Sequence, residues 1–299
     1  MSLSSRWTVA ASIVAVLAIA GCGSSSNKSS TSSGVSASKS SSVASEVPAS
    51  VKSKGTLTIA ADATYAPNEF VAPDGKTVIG MDADLGKALG EVMGLKVKFV
   101  NASFDSIIPG LAAHKYDLGM SSFTDTKERE KTVDFVTYFA AGTSFYTKTQ
   151  GGSNVGTLAD LCGKSVAVEK GTTQQDDATG QNKKCKAAGK PAVKLAVFPD
   201  QNGVNLALTS GRAQVAMADS PVALYQTKQT NGQLKLVGSP ISYGRAPYGI
   251  AVPKGAGLTK PLIDALKQLM SNGKYKQILT HWNIESGAIS NPTVNGATS

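Results

Sequence analysis

Ser121, Ser122, Thr124 and Arg129 sit close together in the stretch "SSFTDTKERE". Hydroxyls and a guanidinium at this spacing suit a ligand anion with more than one oxygen. Asp125 or Thr126 can cap a helix that starts there, with acidic residues in its first turn. A helix start offers unpaired N–H groups and a positive dipole end. Thr124 adds a hydroxyl donor, and Arg129 adds a planar fork that matches a carboxylate bidentately. The plainer reading is a capped surface helix of mixed charge. An α-ammonium needs the opposite, namely acceptors and negative charge. Asp219, in "AMADS" at the end of an apolar run, and the carbonyl of Ser122 are candidates. The bland alternative for Asp219 is an ordinary turn or helix cap. "KGTTQQDD" places Gly171, Thr172 and Thr173 after another apolar run. A glycine there lets backbone approach a ligand, and the N–H groups and hydroxyl that follow can bind an anion. Taken together, these residues suit a small zwitterion.

Such groups must be held by rigid elements that aim them at one cleft. "TLTIAA" reads as a buried strand, and "DADLGKALGEVMG" carries Leu85, Ala88, Leu89 and Val92 at helical spacing before Gly94. "LKVKFV" alternates like a strand. "FDSIIPGLAAHKY" reads as a short helix with Pro109 near its first turn, and "DLGMSS" as a strand running into the Arg129 stretch. This β-α-β-α-β series predicts an α/β fold with a mainly parallel, doubly wound sheet. The series then restarts with "KSVAVE", a helical region, "KLAVFP", "NGVNLALTSGR" and "QVAMADS". Residues 111–120 and 208–217 share a pattern of helix end, turn and apolar strand, which aligns Ser122 with Asp219. The expectation is two lobes of like topology, each presenting strand carboxyl ends at one cleft, where ligands of open α/β sheets bind. "YGIAVPKG" and two helical stretches after it are assigned back to the first lobe. Lobe 1 is thus expected at 53–147 and 242–285, and lobe 2 at 148–241. A polar tail of 286–299 follows, and chain crossings near 147–151 and 239–242 form a hinge.

The chain has 299 residues, 41% of them hydrophobic, which is enough for two cores of ordinary domain size. Its formal charge is +9, but the lysines are scattered and aromatics are only 6%, so no nucleic-acid partner is expected. Residues 1–21 carry Arg6, a short apolar core and small residues, the form of a secretory signal and too short for a comfortable membrane span. "IAGC" resembles the lipobox of bacterial lipoproteins, which implies cleavage before Cys22 and a lipid on its sulfur. The Ser/Gly-rich 22–52 would then be a flexible tether. Cys162 and Cys185 remain, and an exported protein meets an oxidising compartment, so a disulfide is expected. Its loop would contribute roughly 3 kcal/mol. His114 and His281 are far apart and isolated, so neither zinc nor a Ser-His-Asp triad is expected, and no cofactor is assigned.

The stretches "GTLTIAADATYAP", "GMDADLGKALGEVMG", "FDSIIPGL", "YDLGMSSFTDTKERE" and "VAVEKGTT", in that order, resemble the family 3 extracellular solute-binding proteins, the amino-acid receptors of ABC importers. The resemblance spans roughly residues 55–284. It implies a two-lobe periplasmic-binding-protein-like fold and an amino-acid ligand delivered to a membrane permease. The protein would be a monomeric, non-enzymatic lipoprotein on the outer face of the cell membrane. It implies that Arg129 binds the α-carboxylate with Thr124 and the backbone at Thr173. Asp219 would bind the α-ammonium with Ser122, beside Ser121. Tyr65 and Phe104 would wall the ligand side chain, with Gly171 in the loop below. Asn68 departs from the aromatic usual in the family, which bears on packing beside Tyr65. Asp62 matches a side-chain contact position, and Glu169 falls near the same wall. Two carboxylates there favour a cation, unless Lys170 points inward and cancels one. The expected ligand is therefore a polar, basic L-amino acid, with glutamine as the alternative. Two rivals stay open. One is an enzyme on this fold, using Asp62 and Glu169 as acid and base. The other is a lipoprotein that reports to a separate sensor.

Overall fold

The computed structural model describes residues 31–298. The expected signal segment and Cys22 lie outside them. Two short helices come first, α1 (Ser41–Glu46) and α2 (Ala49–Lys54), the second ended by Gly55 in the left-handed region. Strand β1 (Thr56–Ala61) follows, then three short strands, β2 (Thr64–Tyr65), β3 (Glu69–Val71) and β4 (Val78–Ile79), which form their own antiparallel sheet. Helix α3 (Met81–Met93) buries the face predicted from its spacing, Leu85, Ala88, Leu89 and Val92, and stops where Gly94 turns left-handed. Strand β5 (Lys96–Asn101), helix α4 (Phe104–Ala112) and strand β6 (Leu118–Gly119) complete the first series. Pro109 lies in the second turn of α4, not the first.

A single helical turn, α5 (Lys127–Glu130), leads into β7 (Val133–Lys148). β7 is 16 residues long and buried along almost its whole length. The second series is β8 (Ser165–Glu169), α6 (Thr173–Ala187), β9 (Lys194–Phe198), α7 (Gln201–Thr209), β10 (Val215–Asp219), α8 (Ser220–Gln229) and β11 (Leu234–Val237). Strand β12 (Tyr243–Pro253) returns, followed by α9 (Thr259–Ser271) and α10 (Lys274–Trp282).

The main sheet is continuous, in the order β5-β1-β6-β12-β7-β10-β8-β9, with β11 also on β7. Its two ends are parallel: β1 pairs β5 and β6, and β8 pairs β9 and β10. Its centre is antiparallel, because β12 and β7 run against each other and against their outer neighbours. The expectation of a mainly parallel sheet therefore holds for each end and fails in the middle. β7 pairs with β12 from Val133 and takes β10 as a partner from Thr143. The chain thus passes between lobes inside a strand, before the 147–151 crossing read from the sequence. Helices α9 and α10 pack on α3, and their Leu262, Leu266 and Ile278 share one core with Leu57, Ile59 and Leu85. A second core in the other lobe gathers Val166, Val168, Val215 and Met217. Cys162 and Cys185 are bridged, which ties the loop before β8 to α6.

The tether reading of 22–52 fails for its second half. Val43 and Val47 are 5% and 2% exposed and belong to the first core. Ser32 Oγ and the Ser33 N–H both donate to Asp84, which also accepts from Trp282 Nε1. A serine-rich segment can pack when two valines at the right spacing find a groove and a buried carboxylate accepts its polar groups. The polar tail is likewise laid down: Thr137 and Phe135 in β7 bond Thr293 and Asn295, and the Gly296 N–H donates to Asp125 at 2.7 Å.

Candidate functional site

The cavity between the lobes is lined by Tyr65, Phe104, Ser122, Thr124 and Arg129 from one side, and by Thr172, Thr173, Gln174, Gln201, Asp219 and Val222 from the other. Eight of the residues singled out in the sequence thus meet at one place: Tyr65, Phe104, Ser122, Thr124, Arg129, Thr172, Thr173 and Asp219. Ser121, Asp62, Gly171 and Glu169 are not among its lining residues.

Arg129 is aimed by what surrounds it. Thr126 caps the α5 turn and accepts from the Arg129 N–H at 3.2 Å. The guanidinium carbon lies 5.2 Å from the Phe104 ring and 5.6 Å from the Phe123 ring, which are themselves stacked at 4.6 Å. Stacking holds a guanidinium flat and leaves its edge free to donate. Nη1 donates to the Thr124 carbonyl at 2.8 Å and Nη2 to the Gly171 carbonyl at 3.0 Å. The second bond crosses between lobes. At Gly171, φ is +78° and an added Cβ would come 2.9 Å from Asp105 Cβ, so only glycine lets the lobes approach this closely. Lys170 does not turn inward: it pairs with Asp105 of the opposite lobe at 2.7 Å. The Gln201 N–H also reaches across, to Thr64 Oγ1 at 3.2 Å.

Asp219 stands at the end of β10, as its "AMADS" position implied. It caps nothing through its side chain. Its oxygens instead accept from Tyr248 Oη at 2.6 Å and Gln174 Nε2 at 2.7 Å. Burial pushes its carboxyl up to about 6, against the pull of those two bonds and of Arg129. Ser122 sits in the left-handed region at φ 51°. Its Oγ is taken inward, accepting from Asn68 Nδ2 at 2.9 Å and donating to Glu69 at 3.1 Å. Asn68 thus braces Ser122 from a fully buried position. Behind them Asp82 accepts from the Ser122 N–H and from Tyr138 Oη. Ser121 is buried too, and its Oγ accepts from the Asp62 N–H at 2.8 Å, so it positions Asp62 and does not face the cavity.

Asp62 and Glu169 come together behind Tyr65. Asp62 accepts from Thr64 Oγ1 at 2.7 Å and the Phe104 N–H at 3.1 Å. Glu169 is 1% exposed and faces the buried Tyr65 hydroxyl and Asp62, with no well-formed hydrogen bond to either of its oxygens. Burial, and then the charge of Asp62, push Glu169 up to about 10. Asp200, which caps α7, adds a third carboxylate to this end. Among the described residues no group of three or more His, Cys, Asp or Glu side chains could hold a metal ion.

Tyr248, Gln174, Gln201 and Asp200 were missed in the sequence. Gln174 directly follows "GTT", a usable signal. Tyr248 arrives on the returning strand β12 and forms a bridge pair with Thr124, which local sequence cannot foretell.

The model of the bacterial extracellular solute-binding proteins, family 3, matches residues 57–285. The arginine-binding protein ArgT of Corynebacterium glutamicum is 32% identical over 250 residues, covering 83% of this chain and 81% of that one. An ancestral arginine-binding protein solved with arginine superposes with a TM-score of 0.69 at 38% identity, over 76% of this chain and 98% of that one. An ancestral arginine-binding protein solved with glutamine gives 0.70 at 37% identity, over 77% and 99%. The two-lobe α/β architecture, the interlobe cavity and these matches lead to one conclusion: the chain belongs to the bacterial extracellular solute-binding proteins of family 3.

Proposed function

We propose that this protein captures a basic L-amino acid, arginine first, outside the cytoplasm and hands it to a membrane permease of an ABC importer. The ligand's α-carboxylate meets Arg129, Thr124 and the Thr173 N–H. Two of the five guanidinium donors are engaged within the protein, and the others serve the ligand. The α-ammonium meets Asp219 and the Ser122 carbonyl. The side chain lies against Tyr65 and Phe104, whose rings meet edge to face at 5.8 Å, and points toward Asp62 and Glu169 behind them. The observation that carries the basic reading is Glu169, almost fully buried beside Asp62 with no well-formed hydrogen bond to either oxygen. A buried carboxylate left alone is costly, and a ligand cation supplies the missing partner. The arginine bound to one similar solved protein and the name of the corynebacterial relative support the same reading.

Closure of the lobes excludes water and strengthens each charged hydrogen bond. Lys170–Asp105 and Arg129–Gly171 are contacts that tie one lobe to the other. The site binds without turnover, and a lipid at Cys22 holds the protein, as a monomer, to the cell membrane. Glutamine is the second reading, favoured by the similar protein solved with glutamine. Calorimetric titration of ligand-stripped protein with arginine, lysine, ornithine and glutamine tests the choice. Arginine binding tightest, and recovered intact, is expected; glutamine outcompeting arginine would overturn the basic reading.

A further inference from the structure

We propose that capture of a cationic amino acid expels one proton from Glu169 to solvent, so that pH sets the preference for a cationic over a neutral ligand. The inference rests on the basic-ligand reading and deepens it. Glu169 ends β8 and is faced from several elements: by Asp62 after β1, Tyr65 in β2, Tyr146 in β7 and Asp200 at the start of α7. Every one of these is acidic or a phenol. The lysine next to it in sequence, Lys170, is committed to Asp105. Arg129 has Asp219 as its foremost charge partner and is not among the charges that act on Glu169. Three carboxylates thus gather behind Tyr65, next to the cavity, and among the described residues no lysine or arginine is placed with them.

They are not equivalent. Asp62 has a donor on each oxygen, Thr64 and the Phe104 N–H. Asp200 accepts from the Gly203 N–H as a helix cap. Glu169 has no well-formed hydrogen bond to either oxygen, and the groups that face it are the Tyr65 hydroxyl and Asp62 itself. Hydrogen bonds to the charged form favour ionisation, and burial beside other anions opposes it. Glu169 is therefore the member that stays protonated in the empty site, in keeping with a carboxyl pushed up to about 10. When a guanidinium or ammonium arrives, the Glu169 O–H bond breaks and its proton passes to buffer. The carboxylate then accepts from the ligand N–H, and the ligand keeps its charge. One positive charge enters and one leaves, so the buried site keeps its net charge. A neutral carboxamide side chain meets the protonated carboxyl instead and expels nothing.

Calorimetry at pH 7 in buffers of different ionisation enthalpy counts the protons. Arginine and lysine should each release close to one, and glutamine close to none. Across pH 6.5 to 8.5 the arginine Kd, taken relative to glutamine, should fall by up to about tenfold per pH unit. The glutamine comparison cancels the titration of Asp219 and of the ligand's own α-amino group. In Glu169→Gln the release and the relative pH slope should both vanish, and a thermal melt confirms that the variant is folded. Tight arginine binding with no proton released, or release unchanged in Glu169→Gln, overturns the inference while leaving the basic-ligand reading intact. Failure of arginine to bind at all overturns both.

Discussion

Tyr248 donates its hydroxyl to Asp219 at 2.6 Å. The two residues lie on different strands: Tyr248 on β12, which joins the lobes and bridges to Thr124, and Asp219 at the end of β10 in the second lobe. One phenol therefore connects the side of the cavity that carries Thr124 and Arg129 to the acid opposite. Gln174 shares the task at 2.7 Å.

Tyr248→Phe should weaken amino-acid binding about tenfold, since a hydrogen bond to a charged group contributes about 1.5–3 kcal/mol and Gln174 still holds Asp219. A readout specific to this role is the titration of Asp219, which now lies near 6. Tyr248 pulls that value down, so its loss should push Asp219 higher. The acid limb of ligand binding should then move to higher pH, as followed by calorimetry from pH 5 to 8. An unmoved acid limb would mean that Tyr248 serves packing alone.

Arg129→Lys should cost far more than its retained charge suggests. The guanidinium lies over Phe104 and Phe123, holds Thr124 and Gly171 with two donors, and has others to give. A lysine ammonium is a compact point charge without the planar fork. Loss of a bidentate grip should weaken binding at least about a hundredfold, at about 1.5–3 kcal/mol per charged bond. The melting temperature of the empty protein should fall as well, because the bonds to the Thr124 and Gly171 carbonyls are lost, and a cooperative melt confirms that the variant is folded. Equal affinity in the lysine variant would show that charge, not geometry, holds the ligand.

Much of the site was legible because its chemistry is local. "SSFTDTKERE", "KGTT" and "AMADS" carry the residues proposed to hold the two ends of a zwitterion, and hydrophobic spacing located the strands and helices that carry them. What could not be read depends on distant pairing. β7 is buried on both faces, so its sequence shows no alternation, and its partner β12 begins nearly a hundred residues after β7 ends. The antiparallel centre of the sheet and the placing of Tyr248 both follow from that pairing. Ser121 and Ser122 looked like ligand hydroxyls by type, but Asp62, Asn68 and Glu69 claim them first.

Stability of the empty protein should fall as pH rises from 5 to 9. Burial raises Asp82 and Asp219 to about 6 and Glu169 to about 10, and pushes Glu69 up as well. A carboxyl raised in the folded state makes that state bind its proton more tightly than the unfolded chain does. The resulting stability is full below the unfolded value near 4 and is lost as pH climbs through the folded one. The mostly exposed Asp74, Asp160 and Asp264 are shifted the other way and matter only in acid. Urea midpoints at pH 5, 7 and 9 test the trend, and Glu169→Gln should flatten the step between 7 and 9. Stability that rises over this range would contradict the buried-carboxyl account.

The serine-rich segment before β1 should be part of the folded unit. Val43 and Val47 are buried against the α3 and α9 side of the first lobe, and each such side chain stabilises by about 1.5–3 kcal/mol on burial. Ser32 and Ser33 supply two donors to Asp84, a carboxylate 2% exposed that also accepts from Trp282. Val43→Ser with Val47→Ser should therefore lower unfolding stability by about 2–5 kcal/mol, somewhat less than full burial implies because the denatured chain already hides some apolar surface. Ligand affinity should be unchanged, since neither valine approaches the cavity. A Ser32→Ala variant should lose less, because Ser33 and Trp282 continue to satisfy Asp84. Urea unfolding of the three proteins decides it. If the double serine variant unfolds at the parent's midpoint, the segment is the free tether its composition suggests, and its packing contributes nothing to the fold.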